Sequence, residues 1–231
     1  MTHLLVVEDD EVIRTTIRMA LERYGFTVSV AGDGFTGLDL FREKQPDLLL
    51  LDVMLPELDG IGLCRRIREL SLVPILMMSA RGDSVTVVSG LEAGADDYVT
   101  KPVDSAVLVA RIRSLLRRAS FRPQAVAAEQ PQPAQPDGVL AFGDVEIDPR
   151  SMEVRRAGQP VALTPTELRL LLEFAANPGV VLERRTLLRT VWDYAWEGDR
   201  RVVDMHVQRL RAKIGAERIE TVRGFGYKLR R

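Results

Sequence analysis

Five short apolar runs recur through the first half of this 231-residue chain: Leu4 to Val7, Thr27 to Val30, Leu48 to Leu51, Pro74 to Met77 and Tyr98 to Val99. Between them the apolar residues change period. Ile13, Ile17 and Leu21 recur at helical spacing among Val12, Thr16, Met19, Ala20 and Arg23. Strands that alternate with helices pair in parallel, because a parallel connection needs a crossover and the helix supplies it. Five such units predict a doubly wound α/β domain: a five-stranded parallel sheet covered on both faces, with its sites at the carboxyl ends of the strands.

Four of the runs lead into polar residues. Glu8, Asp9 and Asp10 follow the first, Asp52 the third, Ser79 the fourth, and Lys101 with Pro102 the fifth. In a parallel sheet all four groups converge on one edge. Carboxylates crowded there repel one another, so at least one pKa should rise, and the cluster calls for a hard divalent cation. Mg²⁺ fits, because it binds through one or two carboxylates and keeps room for phosphate oxygens. A lysine and a hydroxyl at the same edge suit a phosphoryl group, with one carboxylate as nucleophile. Taken singly, Asp52 reads as a loop or cap residue, Lys101 as a turn residue and Ser79 as a helix cap. Cys64 reads as helix packing, and Gly60 and Gly94 as turn or helix-end residues.

Between Ala119 and Asp137 stand Pro123, Pro131, Pro133 and Pro136 with Gln124, Gln130, Gln132 and Gln135. Such a segment cannot bury enough surface to order itself and predicts an extended linker over residues 119–138. It separates a first domain, 1–118, from a second, 139–231. The net charge of −1 hides the same division. Residues 1–118 hold 14 Lys and Arg against 18 Asp and Glu, while 139–231 hold 17 against 13. From Arg184 onward the count is 13 against 6, an excess of seven positive charges that points to a nucleic-acid partner for this half alone. One cysteine excludes an internal disulfide, the early acidic residues lead to the expectation of no signal peptide, and no apolar run reaches the roughly 18 residues a membrane span needs. The expectation is a cytoplasmic protein with no membrane partner.

In the second half, Val139 to Leu163 alternates short runs broken by turn residues, which predicts a small antiparallel sheet. Thr164, Pro165 and Glu167 form a helix start with a capping box. Helices over Thr166–Ala176, Arg184–Trp192 and Arg201–Ile214 then lead to a hairpin of Ile219–Val222 and Tyr227–Leu229. On the last helix Val203, Val207, Leu210 and Ile214 make an apolar face, while Arg201, Met205, Gln208, Arg209 and Ala212 lie opposite. That outer face suits the major groove: Arg209 to a guanine edge, Met205 to a thymine methyl, with Arg201, His206 and Arg211 at phosphates. Thr221, Arg223 and Tyr227 surround a glycine-rich turn that can lay an arginine in the minor groove. The competing explanation is an ordinary solvated helix face.

The strings LLVVEDD, LLLLDVMLPELDG, ILMMSARGD and LEAGADDYVTKP resemble the receiver domain of two-component response regulators, a flavodoxin-like fold. The resemblance implies Asp52 as phosphoacceptor, Glu8 and Asp9 as the acidic pair, and Asp9, Asp52 and the Met54 carbonyl as Mg²⁺ ligands. It makes Lys101 the phosphate partner, Ser79 the switch hydroxyl and Tyr98 the aromatic that rotates inward. LTPTELRLLLEFAANPG, VVDMHVQRLRAKIG and ETVRGFGYKL resemble the winged helix-turn-helix effector domain of the OmpR/PhoB family, of α+β class. By it, Arg201–Ile214 is the recognition helix, Arg218–Leu229 the wing, and Trp192 a DNA-backbone contact, with core packing as the alternative. Tyr194 to Arg200 matches the loop that meets RNA polymerase, with Tyr194 and Trp196 as candidate contacts. Asp96, Asp97, Arg111 and Arg113 match charged positions of the family's dimer face. Val87 and Val107 stand where many members carry an ion pair, which implies an apolar contact instead.

The resemblance implies a transcription regulator rather than an enzyme. On that resemblance, a sensor histidine kinase is expected to phosphorylate Asp52, a homodimer to form, and double-stranded DNA to be bound at tandem half-sites. Two rivals remain: an aspartyl phosphatase with a Mg²⁺ site, and a phosphorylation-independent DNA-binding protein. A phosphatase usually carries its nucleophile after the first strand, whereas Asp52 follows the third.

Overall fold

The computed structural model describes residues 1–80, 84–120, 138–193 and 199–230. The chain divides into two compact units, Met1–Ala119 and Ser120–Arg231. Of the expected linker, residues 121–137 lie outside the described residues.

The first unit runs β1 (His3–Val7), α1 (Glu11–Arg23), β2 (Thr27–Ala31), α2 (Gly34–Lys44), β3 (Leu48–Asp52), α3 (Gly60–Leu70), β4 (Ile75–Ser79), α4 (Ser84–Ala93), β5 (Asp97–Thr100) and α5 (Ser105–Ala119). Its sheet has the order β2-β1-β3-β4-β5, with every pair parallel. Side chains alternate across it. Leu4, Val6, Leu48, Leu50, Leu76 and Met78 face Ile17 and Leu21 of α1 and Leu108, Ile112 and Leu115 of α5. Val7 points to the other face, against Gly37 of α2. Strands β3 and β4, central and covered on both sides, are buried at every position, which is why they read as unbroken apolar runs. Asp10, Asp33 and Asp59 cap α1, α2 and α3 through bonds from backbone N–H groups two or three residues on.

Chain order reverses between β1 and β3, and the register pairs Val7 with Leu51. The residues just beyond, Glu8 and Asp9 on one strand and Asp52 on the other, therefore meet at the switch point.

The second unit opens with an antiparallel sheet of β6 (Leu140–Phe142), β7 (Val145–Asp148), β8 (Glu153–Arg156) and β9 (Gln159–Pro160). Next come α6 (Pro165–Ala176), β10 (Leu182–Glu183), α7 (Arg184–Trp192), α8 (Arg200–Ile214), β11 (Ile219–Val222) and β12 (Gly226–Leu229). The capping box forms as expected: the Glu167 N–H donates to Thr164 Oγ1 at 3.3 Å and the Thr164 N–H to the Glu167 carboxylate at 2.9 Å. The two-residue strand β10 was not expected. It pairs with β12 and turns the hairpin into a three-stranded sheet ordered β10-β12-β11. A Cβ on Gly226 would lie 2.0 Å from the Leu182 carbonyl oxygen, so this close approach admits only glycine. Among the described residues no helix is long and apolar enough to cross a membrane.

Candidate functional site

At the carboxyl edge of the first sheet, ligand atoms of Glu8, Asp9 and Asp52 lie within 4.8 Å of one another. Glu8 and Asp52 are buried and Asp9 is exposed. Lys101, reaching in from beyond β5, places its Nζ 2.5 Å from Glu8 and 2.9 Å from Asp52. Burial pushes the Glu8 carboxyl above its usual range. The bond from Lys101 opposes this and the neighbouring Asp52 and Asp9 charges add to it, so the expected rise falls on this member of the cluster. Burial lowers Lys101, but its bonds to Asp52 and Glu8 outweigh that and hold the ammonium charged.

The surrounding backbone is built close around Asp52. The Met54 N–H donates to Asp52 Oδ1 at 3.3 Å. A Cβ on Gly60 would lie 1.9 Å from the Asp52 carbonyl oxygen and 3.0 Å from Val53 Cα. Gly60 is therefore more than the turn residue expected of it: its hydrogen atom lets α3 start directly under the end of β3. Arg14, not singled out from sequence, donates from Nη1 to the carbonyls of Glu8 at 2.7 Å and Asp9 at 2.9 Å, fixing the loop that carries both acids. Asp10, which follows the same strand, is taken up instead by the α1 cap. Ser79 is buried at the end of β4, and its carbonyl accepts from the Lys101 N–H at 2.8 Å. Tyr98 is already buried. A cleft of about 540 Å³ opens beside the cluster, lined by Asp9, Met54, Asp59 and, from α4, Val85 and Thr86.

The expected dimer face needs correction. Val87 is 2% exposed and belongs to the core, so it cannot form an apolar surface contact with Val107, which is 48% exposed. The exposed valine of α4 is Val85. Asp96 and Asp97 are both fully buried. Asp96 accepts from Arg68 at 2.7 Å and from the Ile75 N–H at 3.0 Å, while Asp97 takes its own chain's Arg111 at 3.1 Å. Arg113 sits about 200° around α5 from Arg111 and packs over the Tyr24 ring at 5.8 Å, on the α1 side. Arg111 and Arg113 therefore do not share one face.

In the second unit, one line along α8 faces outward as expected: Arg201 and Met205 are partly exposed, Gln208 and Ala212 exposed. Arg201 also pairs with Asp199, the N-cap of α8, at 2.7 Å. Five other expected DNA contacts are engaged within the unit. His206 and Trp192 are fully buried, their rings packed edge to face at 5.1 Å, and His206 Nδ1 is 2.8 Å from the Val202 carbonyl. Neither presents a surface to a phosphate in this structure. Arg209 turns back from its helix to Glu167 of α6, at 2.9 Å, rather than standing free at a groove. Tyr227 is buried, its hydroxyl on Asp204 at 2.7 Å. Arg211 braces α8 against β11, donating to the Ile219 carbonyl and to Thr221 Oγ1. Thr221 and Arg223 are exposed, as is Phe225 beside them. Tyr194 and Trp196 lie outside the described residues.

Glu167 was visible in the sequence only as a capping-box member. Its carboxylate also receives Lys213 at 2.6 Å, and with Arg209 this makes a triad around a buried carboxylate between α6 and α8. Burial alone would raise that carboxyl, but the charges of Arg209 and Lys213 and the bonds from Lys213 and Thr164 outweigh it and hold it below the usual value.

Residues 4–113 match the response regulator receiver domain family, and residues 158–229 the C-terminal domain of transcriptional regulatory proteins. The chain is 64% identical over 229 residues to the transcriptional regulatory protein CseB of Streptomyces coelicolor, covering 99% of this chain and 98% of that protein. It is 48% identical over 234 residues to the transcriptional regulatory protein AfsQ1 of the same organism, with 99% and 98% covered. The DNA-binding response regulator MtrA of Mycobacterium tuberculosis (strain H37Rv) is 44% identical over 230 residues, with 97% and 95% covered. Among solved structures, DrrB, a Thermotoga maritima OmpR/PhoB homologue, matches over the whole of both chains at 31% identity with a TM-score of 0.52. With a receiver fold carrying an acidic cluster and a winged-helix unit whose α8 turns one polar line outward, this chain belongs to the OmpR/PhoB family of two-component response regulators.

Proposed function

We propose that Asp52 accepts a phosphoryl group from a sensor kinase phosphohistidine and that the new charge controls DNA binding by the second unit. The observation that carries this is the placement of Lys101 Nζ between Glu8 and Asp52 at the switch point, with Asp9 beside them. In the transfer the histidine N–P bond breaks, an Asp52 O–P bond forms, and the imidazole nitrogen leaves with its electron pair. Lys101 holds a positive charge where the phosphoryl oxygens arrive. Ser79, at the end of the neighbouring strand, supplies a hydroxyl donor to the same group, and Tyr98 is the aromatic coupled to it.

The donor set of two carboxylates and an adjacent main-chain carbonyl fits Mg²⁺: Asp9, Asp52 and the Met54 carbonyl would hold it, with Glu8 behind them. When bound, the ion supplies charge neutralisation for the phosphoryl oxygens.

The readout we assign to the rest of the chain follows the family. Two chains associate through the surface of α4, β5 and α5, where Val107 and Arg111 are accessible. Residues 119–138 act as the linker that lets two DNA-binding domains, 139–231, occupy tandem half-sites. Arg201, Met205 and Gln208 of α8 face the major groove, Thr221 and Arg223 the minor groove, and Tyr194 and Trp196 RNA polymerase. The protein works in the cytoplasm as a transcription regulator, with no turnover beyond gain and loss of its own phosphoryl group.

The test is incubation with a small phosphodonor and Mg²⁺, read by mass spectrometry and by DNA affinity. The wild-type chain should gain one phosphoryl group on Asp52 and bind its operator more tightly. Asp52→Asn should do neither, and undiminished labelling of that variant overturns the assignment.

A further inference from the structure

The recognition helix and the wing are joined by a polar cluster around Tyr227 that shares only Thr221 with the proposed DNA contacts. Asp204 of α8 accepts from Arg184 Nε at 2.6 Å and from the Tyr227 hydroxyl at 2.7 Å. Arg184, the first residue of α7, also donates from Nη2 to that hydroxyl at 3.0 Å, and its Cζ lies 4.6 Å from the Tyr227 ring centroid. Arg211, two turns along α8, brings its own Cζ to 5.5 Å from the same ring. Its Nε and Nη2 reach the Ile219 carbonyl at 2.8 and 2.6 Å, and Nη2 reaches Thr221 Oγ1 at 2.7 Å. One tyrosine ring in β12, 5% exposed, is thus held by guanidinium groups from two helices, and one of these, Arg211, also bonds β11. Burial pushes the Tyr227 hydroxyl up to about 12, and the Asp204 carboxylate acts in the same direction, so the phenol stays a donor at neutral pH.

Cohesion between these elements already has an apolar source in Val203, Val207, Leu210, Ile219 and Leu229, all buried. The polar cluster adds direction. Hydrogen bonds and ring stacking fix angles that apolar packing leaves softer. A helix and a hairpin that enter two different grooves must keep one separation, and any freedom between them has to be frozen out on binding.

We propose that Tyr227, Asp204, Arg184 and Arg211 are positioning residues for DNA recognition: they lock the wing to α8 and so present Arg223 at a fixed distance from the recognition helix. The inference rests on the reading of Arg223 as a DNA contact, and its test separates the two. The full-length chain is used with one duplex, selected from a randomised library by the wild-type protein, and Kd is read by fluorescence anisotropy. Tyr227→Phe keeps the ring and both guanidinium contacts and removes only the hydroxyl bonds. In the wild-type background it should weaken binding about fivefold, because two hydroxyl bonds go while the ring contacts remain. In an Arg223→Ala background the same change should cost less than about 1.5-fold, because the group being positioned is gone. Asp204→Asn, which keeps the side-chain shape, should show the same dependence on background. An equal loss in both backgrounds, or no loss in the wild type, overturns the proposal. If Arg223→Ala alone leaves Kd unchanged, the wing contact itself fails, and the positioning role with it. If Arg223→Ala weakens binding and Tyr227→Phe adds its full loss on top, only the positioning role fails.

Discussion

Replacing Glu167 by alanine removes three interactions at once, and their sizes can be worked separately. The capping acceptor for the Thr164 N–H is lost, which costs about 1 kcal/mol. Arg209 and Lys213 lose the carboxylate they share; removing one partner of a fully buried pair costs about 3 to 5 kcal/mol. Here the Arg209 side chain keeps 14% of its exposure and Lys213 33%, so both regain some hydration and the low end, about 3 kcal/mol, applies. The expected total is about 4 kcal/mol, a large part of the roughly 5 to 15 kcal/mol that stabilises a domain. Both tryptophans, Trp192 and Trp196, belong to the second unit, so tryptophan fluorescence during urea unfolding isolates its transition. With a slope of about 1.5 kcal/mol/M, the midpoint should fall by about 2 to 3 M. Glu167→Gln, which keeps a cap acceptor and loses only the charge, should fall by roughly half as much. The same carboxyl predicts a pH dependence. Its folded-state pKa lies below the usual 4.5, so the stabilisation is fully present above that value and is lost as pH falls through the folded pKa. In Glu167→Ala this acid-sensitive component should disappear. A loss under about 1 kcal/mol in the alanine variant, or an unchanged acid limb, would refute the claim that the triad holds α8 onto α6.

The remaining expectations follow from single placements. Gly60→Ala should destabilise the first unit by the upper end of about 1 to 3 kcal/mol and slow phosphorylation, since its Cβ would stand 1.9 Å from the Asp52 carbonyl oxygen; a variant with wild-type melting and labelling would show that α3 shifts freely. Arg209→Ala should cost stability, about 2 kcal/mol with Lys213 still on Glu167, and leave base preference unchanged. Loss of preference at one base with no change in stability would restore it to the groove. Val87→Asp should unfold the receiver, whereas Val107→Asp should leave its melting unchanged and weaken association of the phosphorylated chain, measured by sedimentation. Equal melting of the two variants would contradict the burial difference.

The architecture of the first unit was legible because it depends on few degrees of freedom. A parallel sheet needs only the sequence of strands and crossovers, and the residue after each strand then lands on one edge wherever the strand sits. Glu8, Asp52 and Lys101 could therefore be brought together without knowing a single rotamer, and Ser79 placed on the strand beside them. The α4–β5–α5 surface was not legible in the same way. Asp96 and Asp97 are charged, which argues for exposure, yet Arg68 and Arg111 from other elements follow them inward, and sequence spacing does not record such partners.

On α8 the same limit has a simple geometric form. The line 201, 205, 208 and 212 faces out, and the line one residue further, 202, 206, 209 and 213, flanks the apolar stripe of Val203, Val207, Leu210 and Ile214. All of the second line is drawn inward: Val202 and His206 into the core, Arg209 and Lys213 onto Glu167. Polar identity had suggested an outward position for His206 and Arg209, but on a helix angle outranks identity wherever a neighbouring element supplies a partner. The charge count of the basic tail changes meaning accordingly. Arg184 is paired with Asp204, Arg201 with Asp199, Arg209 and Lys213 with Glu167, Arg218 with Asp144, and Lys228 and Arg230 with Glu220. Arg185, Arg189, Arg200 and Arg223 are exposed and stand outside these pairs. The excess of positive charge correctly pointed to nucleic acid. A cation held beside a carboxylate contributes little net positive field, so the basic excess of this half is presented to its surroundings mainly by the exposed remainder.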